Sequence, residues 1–436
     1  MTKFKWPWML WFAFVSLNLA AGLWLLSAGP GGGMLVQGMA VVTLYNAAAA
    51  LLYLGTQWFF YRLARKARAN GRWPVSQYSP HFRGPKITVI GGGTGLSTLL
   101  RGLKKYTGNL TAVVTTADDG GSSGELRQAF GILPPGDIRN CIIALADQEP
   151  LMERLFQYRF RGEKGLAGHN FGNLFIAAMN DITGDFEQAI EEFSKVLAIA
   201  GRVVPATLKG VTLCAETADG EIVSGESVIP QRRKPIRRIF LQPDNIPANP
   251  AAVRAILDAD CIILGPGSLY TSILPNLVLP EIAGAIHEAR GIKIYICNVM
   301  TQPGETEGYG ACQHVRAIKA HCPGLDIMET VVVNTEEVPL DLLMKYRAEG
   351  AEPVRPDQPA LEKEKLRVVG RHVISKTSLV RHDPEKLARL LLQLIIQEKF
   401  RREGIDGSLL KWLTVPSLIS LVSGPRNFPQ KIRKSV

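Results

Sequence analysis

The sequence has no aspartate or glutamate before Asp118, although the chain carries 39 acidic residues in all. None of its six cysteines stands in a C-x-x-C spacing. Without paired cysteines, zinc-ribbon and zinc-finger chemistry is not expected. Cys141, Cys214, Cys261, Cys297, Cys312 and Cys322 are scattered, and Cys261 and Cys297 lie in or beside apolar runs, as suits reduced core thiols in a cytoplasmic compartment. The missing acids skew the charge. Residues 1–84 carry eight Lys or Arg and no acid, and residues 399–436 carry eight basic and two acidic residues, which leaves 34 basic and 37 acidic residues between 85 and 398. The net charge of +11 therefore sits at the two ends. A mildly acidic body is not a nucleic-acid surface, whereas basic ends suit anionic lipid headgroups.

Charge of either sign is absent over two long stretches, Pro7–Ala28 and Met34–Tyr61, joined by Gly29-Pro30-Gly31-Gly32-Gly33. Each is long enough to cross a hydrocarbon core of about 30 Å as a helix, so residues 1–62 are expected to form a transmembrane helical hairpin, in contact with membrane over residues 7–61. Lys3 and Lys5 precede it and Arg62, Arg65, Lys66, Arg68 and Arg72 follow it, which places both ends and the rest of the chain on the cytoplasmic side. A cleaved signal peptide ending near Ala28 is the alternative, against which stand the length of the first run and the second span behind it. Residues 63–84 read as a basic linker, 85–390 as the main domain, and 391–436 as an amphipathic, basic tail interrupted by Pro416.

The main domain reads as a doubly wound, Rossmann-like α/β fold with a mostly parallel sheet. Lys86–Ile90 is a β-branched run that ends in Gly91-Gly92-Gly93-Thr94-Gly95, and Leu96, Leu99, Leu100 and Leu103 then take helical spacing. Strand, glycine turn and helix together favour a phosphate, because backbone amides and the positive helix end face the anion. Two further absences narrow the ligand. The third glycine of the dinucleotide fingerprint falls on Leu96, and no Walker lysine follows Gly95, so neither NAD nor ATP is expected.

Four strands end in small-polar loops, the pattern expected of a ligand cleft at the carboxyl edge of a sheet. After Leu110–Thr116 come Asp118, Asp119, Gly121, Ser122 and Ser123, where paired carboxylates suit ribose or sugar hydroxyls, a divalent cation held at Asp118, or a helix cap. Pro134–Asn140 offers Asp137 as an N-cap, Arg139 free to meet phosphate, and Asn140. Gly168–Asn173, with His169 and Asn173, opens another helix; a lone histidine serves structure as often as it meets ligand. Cys261–Leu264 leads to Gly265, Gly267, Ser268, Tyr270 and Thr271, a second phosphate cradle. Lys293–Cys297 leads to Asn298, Thr301, Gln302, Glu305 and Thr306. The basic run Arg232-Arg233-Lys234 with Arg237 and Arg238 reads first as a solvated face.

Taken in order, VIGGGTG at Val89–Gly95, ADDGGSSG at Ala117–Gly124, PPGDIRN at Pro134–Asn140, LGPGSLYTSILPN at Leu264–Asn276 and CNVMTQPGET at Cys297–Thr306 resemble the gluconeogenesis-factor (YvcK-like) family. That family is homologous to the CofD-like 2-phospho-L-lactate transferases, and His169–Asn173 looks like its GH-x-x-GN element. The resemblance covers roughly residues 85–390. It implies a UDP-sugar ligand, UDP-N-acetylglucosamine above all, and a regulator of cell-envelope and peptidoglycan growth and cell shape, with cell-wall synthesis or regulatory proteins or a second copy of the chain as partners. It also leaves a transferase alternative, with Asp118 or Asp119 at a Mg²⁺ ion against a guanosine-linked donor. The Asp118–Ser123 loop matches the regulator type, so binding without catalysis is expected.

Overall fold

The computed structural model describes residues 84–146, 150–162, 165–376 and 379–402. The transmembrane hairpin expected over 1–62, the linker to residue 83 and the tail beyond 402 lie outside the described residues. No single helix among the described residues is long and apolar enough to cross a membrane.

Seven strands form the central sheet, and every pairing in it is parallel. They are β1 (Ile87–Gly91), β2 (Leu110–Val114), β3 (Arg202–Pro205), β7 (Cys261–Leu264), β8 (Ile292–Ile296), β9 (Thr330–Asn334) and β10 (Arg367–Arg371), in the spatial order β10-β9-β8-β7-β1-β2-β3. Strands β1, β7 and β8 are buried at every residue, which is why they read in the sequence as continuous apolar runs rather than alternating ones. From β1 the chain first winds outward through β2 and β3, then returns to pair β7 on the other side of β1. The order thus reverses between β1 and β7, where an open α/β sheet leaves a crevice at its carboxyl edge.

Helices cover both faces. One core gathers α1 (Gly93–Leu103), α3 (Gly136–Leu145) and α13 (Pro384–Arg402) around Leu99, Leu100, Ile142 and Leu391. On α1, Leu96, Leu99, Leu100 and Leu103 are all fully buried, as their spacing predicts. The opposite core gathers α7 (Pro250–Leu257), α9 (Pro280–Glu288) and α10 (Ala311–His321). Helix α13 continues past residue 390 and buries Leu387, Leu390, Leu391 and Leu394, so residues 391–402 pack with the domain rather than leave it. Its leucine stripe faces the core of the protein. All six cysteines are buried free thiols, as expected of core positions.

Between β3 and β7 an antiparallel sheet is inserted, in the order β5-β4-β6, from β4 (Thr212–Thr217), β5 (Ile222–Ser224) and β6 (Ile236–Gln242). The basic run borders it. Arg237 and Arg238 pair with Glu216, and Lys234 with Asp219 and Glu221, mostly as exposed ion pairs of little net energy.

Candidate functional site

The two glycine-rich turns expected to cradle phosphate meet at the switch point. A Cβ added to Gly95 would stand 2.4 Å from the carbonyl oxygen of Pro266, so only glycine lets the turn after β1 close on the turn after β7. Asn276 is fully buried behind them and donates to the Ser272 carbonyl at 2.8 Å and the Gly91 carbonyl at 3.4 Å, tying the second turn to the end of β1.

Carboxyls already occupy one amide in each cradle. Asp137 accepts a hydrogen bond from the Gly93 N–H at 2.7 Å. Glu305 accepts from the Tyr270 N–H and from the Thr271 hydroxyl, both at 3.2 Å. What remains for a ligand is narrower than the sequence suggested. Thr94 and Gly95, in the first turn of α1, have amides with no intrahelical acceptor, and the Gly267 and Ser268 amides make no hydrogen bond among the described residues. Tyr270 is buried and its hydroxyl meets that of Tyr309 at 3.0 Å.

Two sequence expectations change here. Asp137 is not the N-cap of α3; Pro135 holds that position, and the nearby Gly93 amide captures the carboxylate instead. Arg139 is partly engaged, its guanidinium donating to Asn173 Oδ1 at 2.7 Å and Asn140 Oδ1 at 2.8 Å while its buried Nε has no partner among the described residues. Burial, with Arg159 close by, brings its pKa down to about 10. From Arg139 a chain of polar groups runs on through Asn173 to the Ser122 hydroxyl, 3.2 Å from the Asn173 amide nitrogen. Ser122 also meets His169 Nδ1 at 3.3 Å and accepts from the Asn170 N–H at 3.2 Å. The other ring nitrogen of His169 lies 3.3 Å from Glu125. In this arrangement His169 orients the loop. Asn170 is the true helix cap, accepting from the Gly172 and Asn173 amides at the start of α5 (Phe171–Thr183).

The loops after β2 and β8 complete the rim. Asp118 accepts from the Gly120 N–H at 3.0 Å, and its other oxygen lies against Gly136, beside Asp137. Ser123 packs against Gly136 as well, and Gly121 takes a left-handed conformation (φ 45°). After β8, Asn298 donates to the Gln302 side chain at 3.1 Å and the Thr306 hydroxyl accepts from the Gln302 N–H at 2.9 Å. The Thr301 hydroxyl accepts from the Glu352 N–H at 2.9 Å, a bond that holds the loop in shape.

One member of the site has no counterpart among the residues picked out from sequence. Glu226 is in the inserted sheet's loop after β5, where desolvation and the negative charges of Asp118, Asp137, Asp119 and Glu305 nearby push its pKa up to about 8. For Asp137, burial and Asp118 raise the pKa to about 6, against the pull of the Gly93 amide and Arg139. Burial raises Glu305 to about 7, against the pull of its hydrogen bonds to Tyr270 and Thr271. Carboxyls held close to neutral pH in this way are a feature of functional clefts. Among the described residues no group of three or more His, Cys, Asp or Glu side chains is arranged to hold a metal ion. A Mg²⁺ ion needs only one or two carboxylates when phosphate oxygens supply the rest, and the second oxygen of Asp118 suits that role.

Parallel sheet, reversed strand order and paired glycine turns at the reversal define a Rossmann-like α/β protein with a crevice at the carboxyl edge of its sheet. A family model described as 2-phospho-L-lactate transferase CofD matches residues 87–374, and the chain belongs to that family. It is 51% identical over 312 residues to the gluconeogenesis factor of Bacillus subtilis, covering 71% of this chain and 98% of the relative. To the gluconeogenesis factor of Listeria innocua it is 43% identical over 320 residues, covering 73% and 98% of the two chains. A crystal structure of a Bacillus halodurans protein superposes with a TM-score of 0.70 at 47% identity, covering 71% of this chain and all of that one.

Proposed function

We infer that this protein binds a UDP-sugar, UDP-N-acetylglucosamine above all, and acts as a regulator rather than as a catalyst. Supporting this most directly is the meeting of two glycine turns at the switch point, with four amides left for a diphosphate and a rim of carboxyls and side-chain amides left for hydroxyls. The diphosphate lies across Thr94–Gly95 and Gly267–Ser268. Asp118 lies in the loop after β2, on the side of the sheet where a Rossmann fold offers a carboxylate to ribose. Asn298 faces the sugar side. The hairpin over 7–61 tethers the domain to the cytoplasmic face of the membrane, near the enzymes of envelope synthesis that the regulator serves.

A second reading is favoured by the family itself and by the raised carboxyls: a 2-phospho-L-lactate type transferase, with Asp118 or Asp119 at a Mg²⁺ ion beside the donor diphosphate. Calorimetry of the full chain in detergent with UDP-N-acetylglucosamine, followed by product analysis, separates the two. Saturable binding with intact ligand supports the regulator. Magnesium-dependent phospholactyl transfer to a deazaflavin acceptor supports the enzyme and overturns it.

A further inference from the structure

The inserted sheet sends one segment back across the cleft. Asp119, in the loop after β2, accepts the Ser227 N–H at 2.9 Å, and its other oxygen presses on Gly225. Three residues beyond Ser227, the carbonyl oxygen of Pro230 would stand 1.8 Å from a Cβ added at Gly304, in the loop after β8, so this segment is in contact there too. In the sheet, β2 and β8 are separated by β1 and β7. The segment is compact rather than extended: the Val228 and Ile229 amides both donate back to the Gly225 carbonyl, and the chain then enters a 3-10 turn at Ile229–Arg232. Residues 225–230 thus form a short strap that links the loop after β2 to the loop after β8, held at the first by the Ser227 amide and at the second by the close approach of Pro230 and Gly304.

Glu226 lies on that strap, between Gly225, which packs on Asp119, and Ser227, which lies beside Gly120, so its carboxyl is within the electrostatic reach of Asp118, Asp137, Asp119 and Glu305. A cluster of carboxyls is a poor place for a phosphate. It suits a vicinal diol, whose two hydroxyls donate to carboxylate oxygens and accept from a carboxyl that keeps its proton. The free amides that suit phosphate lie instead at the two glycine turns, adjacent to this cluster.

We propose that Glu226 is a specificity-determining residue that reads a vicinal diol of the ligand from the strap, together with Asp118, so that the site selects diol-bearing nucleotide ligands over bare phosphate. The inference rests on the nucleotide-sugar reading and adds the residue that reads the hydroxyls. Ribose and the attached sugar both carry such hydroxyl pairs, and the choice of ligands tells them apart. A buried carboxyl that donates and accepts is best replaced by an amide, so Glu226→Gln keeps most of the contact and Glu226→Ala loses it.

The test is calorimetric titration of the full-length protein, wild type, E226Q and E226A, with UDP-N-acetylglucosamine, UDP and 2′-deoxy-UDP. Melting temperature serves as the control for folding. The proposal expects E226A to weaken UDP-N-acetylglucosamine binding about tenfold or more, and E226Q to stay within about threefold of wild type. If ribose is the diol, the E226A loss persists with UDP and vanishes with 2′-deoxy-UDP; if the sugar is, it vanishes with UDP. Equal affinity of wild type and E226A for UDP-N-acetylglucosamine overturns the role of Glu226 while leaving the nucleotide-sugar reading intact. No binding by wild type overturns both.

Discussion

Replacing Asp137 by asparagine should make the protein more stable, and by an amount that depends on pH. Asp137 is half-buried, and desolvation with Asp118 beside it holds its pKa at about 6 against an ordinary value of 3.8. Two pH units correspond to about 3 kcal/mol at about 1.36 kcal/mol each. The folded state thus holds a proton that the unfolded state has released between about pH 4 and pH 6, so this group's contribution to stability falls as pH rises through that window. Below it, aspartic acid and asparagine are nearly equivalent. Above it, the wild type carries a desolvated charge beside Asp118, whereas asparagine keeps an oxygen for the Gly93 amide and offers its NH₂ to Asp118. Denaturant unfolding of wild type and D137N at pH 4 and pH 7.5 should show the variant's advantage growing by about 3 kcal/mol between the two. Parallel stability curves for the two proteins would refute this account of the cluster.

Three further expectations follow from the same geometry. Binding of a diphosphate sugar should weaken as pH rises from 6 to 8, because Asp137 (about 6), Glu305 (about 7) and Glu226 (about 8) ionise beside an anion; calorimetry in two buffers of different ionisation enthalpy should report proton uptake, and a flat profile would contradict it. Gly95→Ala forces a Cβ to 2.4 Å from a backbone oxygen, so the two turns must part; a loss of about 1–3 kcal/mol and of ligand affinity is expected, and a melting curve like wild type would count against it. Gly304→Ala collides with Pro230 at a position with φ 82°, which should detach the strap and raise proteolytic cleavage within 225–232; an unchanged digestion pattern would show that the contact is dispensable.

Much of this fold was legible because a doubly wound sheet writes its strands as unbroken apolar runs. Cys261–Leu264 matches β7 residue for residue, and β1, β2 and β8 begin or end within two residues of the runs that suggested them. The glycine turns were legible for a similar reason, since close approach of two backbones leaves glycine where any Cβ would collide. What the sequence conceals is the partner of each polar group. Pro135-Gly136-Asp137 has the pattern of a helix cap, but the carboxylate goes to an amide 44 positions away. Arg139 follows the helix start as a phosphate-binding arginine would, and nothing in the sequence signals that Asn140 and Asn173 take two of its N–H donors. Glu226 sits in a loop with no catalytic or binding pattern of its own. Only the docking of Ser227 on Asp119, 108 positions earlier, brings it to the cleft.

The central claim is that a nucleotide sugar lies across the meeting of the β1 and β7 turns. It is tested most directly by titrating UDP-N-acetylglucosamine into the full-length protein and into a Gly267→Val variant, whose side chain would crowd Ser272 and the Gly92 carbonyl at the junction. The account predicts saturable binding to the wild type, recovery of the ligand unchanged, and loss of binding in the variant with the melting temperature still cooperative. Absence of binding by the wild type at millimolar ligand, or equal binding by both proteins, would contradict it.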